Sequence, residues 1–265
     1  MTVCIAGLAN NDKGVILASD KMISKQMPPI EYEHEIEKIV QVFPNFYVLM
    51  AGTVNNAVDI VEKAKSSTKE SDSYYKKFEK FKEAYSVYRK EKIEDVILGT
   101  QGFTSITDFQ QRQNTLSKEV VMSIQNLIAN ANLQTLMILV ALENHKCYIK
   151  VLNHPGDLIN PLEYAVIGSG DLHATQSLIS ARYKKSEDVD TATYLVFEAK
   201  KRAEVAPGVG NMTDMIVLYY NDSGELIYKK LTDDELGKLD EVYKDVNLRD
   251  PSIIQAKLKE KSFHI

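Results

Sequence analysis

Thr2 is the residue of this chain best suited to act as a nucleophile. Met1 precedes it, and a small second residue is what an initiator-methionine aminopeptidase accepts. Once Met1 is removed, Thr2 carries a free α-amine beside its own hydroxyl. An α-amine has a reference pKa of about 7.7–8.0, so part of it is neutral near neutral pH and can take a proton. Nucleophile and general base then share one residue, with no histidine required. An apolar run follows at once (Val3, Cys4, Ile5, Ala6), and a second one ends in Ala18-Ser19-Asp20.

Further polar residues interrupt or end apolar strands. Lys38 lies between Ile36 and Val40, which share its face in an alternating pattern. A lysine on a buried face is costly unless paired, and Asp20 is a natural partner. Held near Thr2, its charge would lower the proton affinity of the hydroxyl. The other reading puts Lys38 on an exposed face, paired with Glu35 or Glu37. Gly52 follows an apolar strand; its N–H can stabilise an oxyanion, or it simply turns the chain into a helix. Ser169, in Gly168-Ser169-Gly170, offers a hydroxyl at a strand-to-helix turn, a sequence that is also common punctuation. The histidines His34, His145, His154, His173 and His264 show no metal-ligand spacing, so no metal and no cofactor are expected.

The elements that must position these groups follow from periodicity. Residues 2–8 and 14–20 read as strands joined by a tight turn at Asn10–Gly14, and a loop with Pro28 and Pro29 comes next. Residues 36–43 alternate, and Phe46–Ala51 is almost wholly apolar. A helix follows with Ala57, Ile60, Val61 and Ala64 on one side. Residues 66–112 are rich in Lys, Glu and Tyr; Tyr74, Phe78, Phe81, Tyr85 and Tyr88 give an amphipathic helix, and Gly99–Gln113 reads as a loop. A helix near Ser117–Ala131 precedes a hairpin of Gln134–Leu142 and Cys147–Leu152. Then come a strand at Tyr164–Ile167, two helices, and strands at Thr213–Tyr220 and Glu225–Leu231. Strands and helices are grouped rather than alternating, which predicts sheets covered by helix layers and argues against a doubly wound parallel sheet. A charged helical tail fills 232–265.

Composition sets outer bounds. The chain has 265 residues, 44% of them hydrophobic, and a formal charge of −5. That balance gives no basic footprint for nucleic acid, and no apolar run suggests a membrane span or a secretory signal. Cys4 and Cys147 read as buried thiols rather than a disulfide framework. A cytoplasmic protein is the resulting expectation.

Taken together, these positions resemble the proteasome-type N-terminal-nucleophile hydrolases: proteasome β-subunits, the bacterial HslV peptidase and the Anbu proteins. MTVCIAGL followed by GVILASD is similar to the first hairpin of that family, ending in Asp20. EKIVQVFPNFYVLMAG is similar to its strand pair, with Lys38 and Gly52 at the family's spacing. Ser24 falls where the family has a residue whose backbone binds substrate, and AVIGSGD places Ser169 beside the terminal amine. VGNMTDMIVL resembles the VG-x-x-x-D segment of Anbu-like members; Gly210 stands where β-subunits have an aspartate, and Thr213 where they have a serine, with Asp214 as the compensating acid.

The resemblance implies an α+β fold: a four-layer αββα sandwich with two antiparallel sheets between helix layers. It implies a single domain over 1–265, with a helical insertion at about 66–112. It implies a threonine peptidase or amidase that forms an acyl-ester on Thr2. Lys38 and Asp20 would tune the nucleophile, Ser169 would serve the amine and Gly52 would hold the oxyanion. Met50, two residues before Gly52, would line the pocket for the residue preceding the cleaved bond, with Ser24, Thr213 and Asp214 also on the substrate side. The partners implied are a peptide or protein substrate, copies of the same chain and a regulatory ATPase. A transpeptidase or small-molecule amidase with the same nucleophile, and a non-catalytic scaffold subunit, are the rival readings.

Overall fold

The computed structural model describes residues 2–25, 30–33 and 37–247, with backbone only for 23–25, 30–33 and 247. It divides into two units, Met1–Lys230 and Leu231–Ile265.

The larger unit is built on two antiparallel five-stranded sheets. The first holds β1 (Val3–Ala9), β2 (Gly14–Asp20), β10 (Tyr164–Gly168), β11 (Thr213–Tyr220) and β12 (Leu226–Lys230). Its strand order is β10-β1-β2-β11-β12. The second runs β5-β6-β7-β8-β9, formed by Ile39–Phe43, Phe46–Gly52, Thr135–Glu143, Lys146–Leu152 and Leu158–Ile159. A separate ribbon pairs β3 (Met22–Lys25) with β4 (Ile30–Glu33). Asn10, Asn11 and Asp12 all take left-handed φ in the β1–β2 turn, which asparagine and aspartate tolerate better than most residues.

Period-two patterning sends alternate side chains to opposite sides of each sheet. Between the sheets lie Cys4, Ala6, Leu8, Val15, Leu17, Leu49, Val140 and Leu218, with their neighbours. The far side of the second sheet presents Phe46, Val48, Met137 and Leu139 to α1 (Val54–Ser67) and α2 (Tyr74–Lys92). Phe46 stacks on Phe81 with ring centroids 5.2 Å apart. The far side of the first sheet is covered by α5 (Asp171–Ser180) and α6 (Val189–Ala203), with α6 lying along β1 and β2. The result is helix, sheet, sheet, helix: the four layers that the resemblance implied. All seven residues of β1 and of β2 are buried, because both strands are central and both faces are covered.

Two sequence expectations need correction. Gly99–Gln113 is not a loop throughout: α3 spans Ile106–Arg112 after a wide-turn helix at Ile93–Leu98. Ser105 caps α3 by accepting from the Asp108 N–H, and Phe103 and Phe109 anchor a small separate core with Ile93, Leu98 and Ile124 from α4 (Lys118–Ala129). Two aromatic anchors in a polar run are too few to register as periodicity. Lys38 is also not inside its strand but immediately before β5. The expected Pro28–Pro29 loop lies outside the described residues.

The smaller unit contains α7 (Asp233–Asn247). Thr232 and Glu235 form a reciprocal cap: the Thr232 hydroxyl accepts from the Glu235 N–H, and the Glu235 carboxylate accepts from the Thr232 N–H at 3.0 Å.

Candidate active site

Thr2 enters the site because β1 starts one residue later, between β10 and β2. Its main chain is fixed by the turn after β10. The Thr2 nitrogen donates to Ser169 Oγ at 3.1 Å, and the Thr2 carbonyl accepts from the Ser169 hydroxyl at 3.3 Å and from the Gly170 N–H at 3.2 Å. Gly168 makes this close approach feasible. Its φ is +106°, and a Cβ there would collide with the Thr2 carbonyl oxygen.

The Thr2 hydroxyl lies between an acid and a base. It donates to Asp20 Oδ1 and accepts from the Lys38 ammonium. Lys38 is 6% exposed, and its other two donors go to Asp20 Oδ1 at 2.8 Å and the Met22 carbonyl at 2.7 Å. Its ammonium is therefore saturated, which is how a buried lysine is tolerated. The open choice between a solvated and a buried Lys38 is settled in favour of burial. Glu37, its expected surface partner, pairs instead with Lys230 at 2.9 Å.

Asp20 is fully buried and accepts five hydrogen bonds. Oδ1 takes the Val3 N–H at 2.9 Å, the Lys38 ammonium and the Thr2 hydroxyl. Oδ2 takes the Met22 and Gly210 N–H groups, each at 3.1 Å. Burial alone would raise its pKa; the Lys38 charge and the donors outweigh it and hold the carboxyl below its ordinary value. The sign of the linked stability follows. A depressed native pKa contributes stability above the ordinary carboxylate value of 3.8 and loses it as the pH falls through the native value. Stability measured by urea unfolding should therefore fall on acidification below about pH 4, and in Asp20→Asn that fall should become shallower. An unchanged acid slope in Asp20→Asn would count against the ionised carboxylate.

Gly52 ends β6 with φ +94°, and a Cβ on it would collide with the Gln134 carbonyl oxygen, so only glycine fits. Along β6 the N–H groups alternate in direction. Met50 donates to the Lys38 carbonyl at 3.0 Å and Thr53 to Gln134 at 2.8 Å. The Gly52 N–H thus points to the Lys38 side of the strand, beyond the start of β5.

Other expected positions are dispersed. Met50 packs its side chain with Ala57 and Ile60 on the α1 side, while its carbonyl accepts from Cys4 Sγ at 3.3 Å. Burial pushes the Cys4 thiol up to about 12, so it stays protonated at neutral pH. Thr213 lies opposite Asp20 in the β11–β2 register. Asp214 lies opposite Ser19 and pairs with Lys230 at 3.3 Å. Ser24 pairs with Glu31 through the backbone; its side chain lies outside the described residues, as does Met1.

Sequence reading passed over two contributors, the Gly210 N–H and Lys200. Gly210 registered only as a missing aspartate. Lys200 did carry a signal: it falls on the buried stripe of Thr193, Val196, Phe197 and Ala203, a helical repeat where a lysine is out of place. Among the described residues no cluster of His, Cys, Asp and Glu could hold a metal ion, and no helix is long and apolar enough to cross a membrane.

Comparison with known proteins places this geometry. No curated protein matches the chain. Residues 2–87 match the family model of the proteasome subunit, a stretch that carries Thr2, Asp20, Lys38 and Gly52. That match covers the first third of the chain, and the double five-stranded sheet is consistent with the proteasome-type N-terminal-nucleophile fold that the residues resemble.

Proposed function

We propose that this chain is a threonine-nucleophile amide hydrolase, a proteasome-like peptidase whose catalytic group is Thr2 once Met1 has been removed. The observation that carries this reading is the buried Lys38 ammonium hydrogen-bonded to the Thr2 hydroxyl, with Asp20 holding both.

In the first step Thr2 Oγ attacks the scissile carbonyl carbon, and the hydroxyl proton passes to the Thr2 α-amine. The Lys38 charge favours the developing alkoxide, and Asp20 keeps that charge in place. The Gly52 N–H, on the Lys38 side of β6, stabilises the tetrahedral oxyanion. Collapse breaks the C–N bond, and the leaving amine takes the proton held by the Thr2 ammonium. Water then attacks the Thr2 ester with the amine again as base; the acid departs and the hydroxyl is restored. Ser169 Oγ, 3.1 Å from the Thr2 nitrogen, fixes the orientation of that base throughout. Peptide or protein segments are the substrate, copies of the chain assemble with one another as in the family, and the cytoplasm is the setting, in keeping with two free thiols.

The test is a covalent one. Protein whose intact mass shows Met1 removed is treated with a peptide epoxyketone or a β-lactone, and the adduct is mapped by mass spectrometry. One equivalent on Thr2 is the expected result. An adduct elsewhere, or none, sinks the reading.

A further inference from the structure

Lys200 is fully buried on α6, and the mechanism above does not use it. Its three N–H donors are all engaged: Glu204 Oε1 at 2.7 Å, the Gly210 carbonyl at 2.9 Å and the Asn211 carbonyl at 2.8 Å. Burying an ammonium this completely is costly, and two of the three acceptors that compensate are consecutive backbone carbonyls of one irregular stretch. That stretch, 204–212, joins α6 to β11 and has no regular structure to fix it. Its far end is tied next to the site, where the Lys21 N–H donates to the Met212 carbonyl at 3.2 Å. Gly210 is held from both sides: its carbonyl by Lys200, and its own N–H on Asp20 Oδ2 at 3.1 Å.

We propose that Lys200 is a positioning residue for the Thr2 site, holding the Gly210 backbone so that its N–H keeps the Asp20 carboxylate turned toward Thr2 and Lys38. Asp20 Oδ2 has two donors, Met22 and Gly210. With one withdrawn, Oδ2 keeps only the Met22 N–H, and the carboxylate is held less firmly in the orientation that brings Oδ1 to the Thr2 hydroxyl and the Lys38 ammonium. A second influence is electrostatic, because Lys200 and Asp20 attract each other across the same stretch. Burial pulls Lys200 below the ordinary lysine value, and Glu204 and Asp20 act against that fall. The effect on reactivity rests on Thr2 being the nucleophile; the effect on Asp20 does not.

The experiment uses the full chain with Met1 removed, as wild type, Lys200→Met and Lys200→Gln, each checked for native circular dichroism. The Asp20 carboxyl is titrated by carbon NMR, and β-lactone labelling of Thr2 is timed across pH. Around that carboxyl lie the Thr2 hydroxyl, the Lys38 ammonium, the Cys4 thiol and the N–H groups of Val3, Met22 and Gly210. In Lys200→Met the Asp20 titration should move to higher pH. Labelling should slow roughly tenfold to a hundredfold, the scale of a small misplacement at a reacting centre. Lys200→Gln, which keeps two N–H donors without the charge, should fall between. A residue that merely supported the fold would lower the amount of native protein and leave the Asp20 midpoint in place. An unmoved Asp20 titration in either folded variant overturns the proposal, whether or not wild type is labelled. Wild type that takes no label on Thr2, with the titration shifted as expected, overturns the nucleophile assignment instead.

Discussion

Lys38→Met should cripple both the reaction and the fold, and the two losses should be separable by pH. The side chain is buried and its ammonium is the cation that faces the Asp20 carboxylate at 2.8 Å. Removing one partner of a buried pair leaves the other charge uncompensated, a loss on the order of 3–5 kcal/mol. Urea unfolding at pH 7 should show that loss in the single variant. Lowering the pH lets Asp20 take a proton, so the gap between variant and wild type should narrow on acidification. The double variant Lys38→Met, Asp20→Asn should recover part of the stability, because the stranded charge is gone. It should recover none of the reactivity. Labelling of Thr2 should fall by about 10²–10³, the usual scale for losing a preorganised electrostatic group, in the single and double variants alike. Wild-type stability in Lys38→Met would contradict the buried pair; wild-type labelling would contradict the mechanism.

Blocking the Thr2 nitrogen should be more severe still. While Met1 is attached, that nitrogen is an amide and has no lone pair to accept a proton. Protein that retains Met1, or is acetylated on Thr2, should therefore keep its fold and take up no β-lactone. Freed protein should label at a rate that rises with pH and levels off near the α-amine range of about 7.7–8.0. Intact mass follows both species in one mixed sample, so the comparison is internal. Equal uptake by the blocked and free forms would show that some other group serves as base.

How far these features could be read in advance depends on how local their causes are. Strands β1, β2, β6, β7 and β11 were legible because each carries its own apolar run and its own turn residues. The α2 stripe of Phe78, Phe81, Tyr85 and Tyr88 was legible for the same reason: its period is written along one segment. The β3–β4 ribbon and α3 were not, since four-residue strands and a seven-residue helix hold too few residues to establish a period. At the site, Thr2, Asp20, Lys38 and Ser169 were each singled out by chemistry, and the structure brings all four together. Asp214 was singled out too, yet alternation along β11 turns it from the Thr213 side toward Ser19 and Lys230. The Gly210 contribution was invisible for a different reason. A backbone N–H has no letter of its own, and the lysine that holds the carbonyl of the same residue lies ten residues earlier.

The groups around Thr2 are drawn from opposite ends of the chain, with residues 20 and 38 on one side and 169 and 210 on the other. During synthesis the first hairpin leaves the ribosome long before the strand that must lie beside it or the amide that must cap its aspartate. An unfinished polypeptide can thus carry residues 2, 20 and 38 while it lacks the later half of the surroundings. For the threonine nucleophile we propose, competence arrives only when residues 169 and 210 have been made and have closed over the beginning, so the order of translation itself holds a half-made molecule in check.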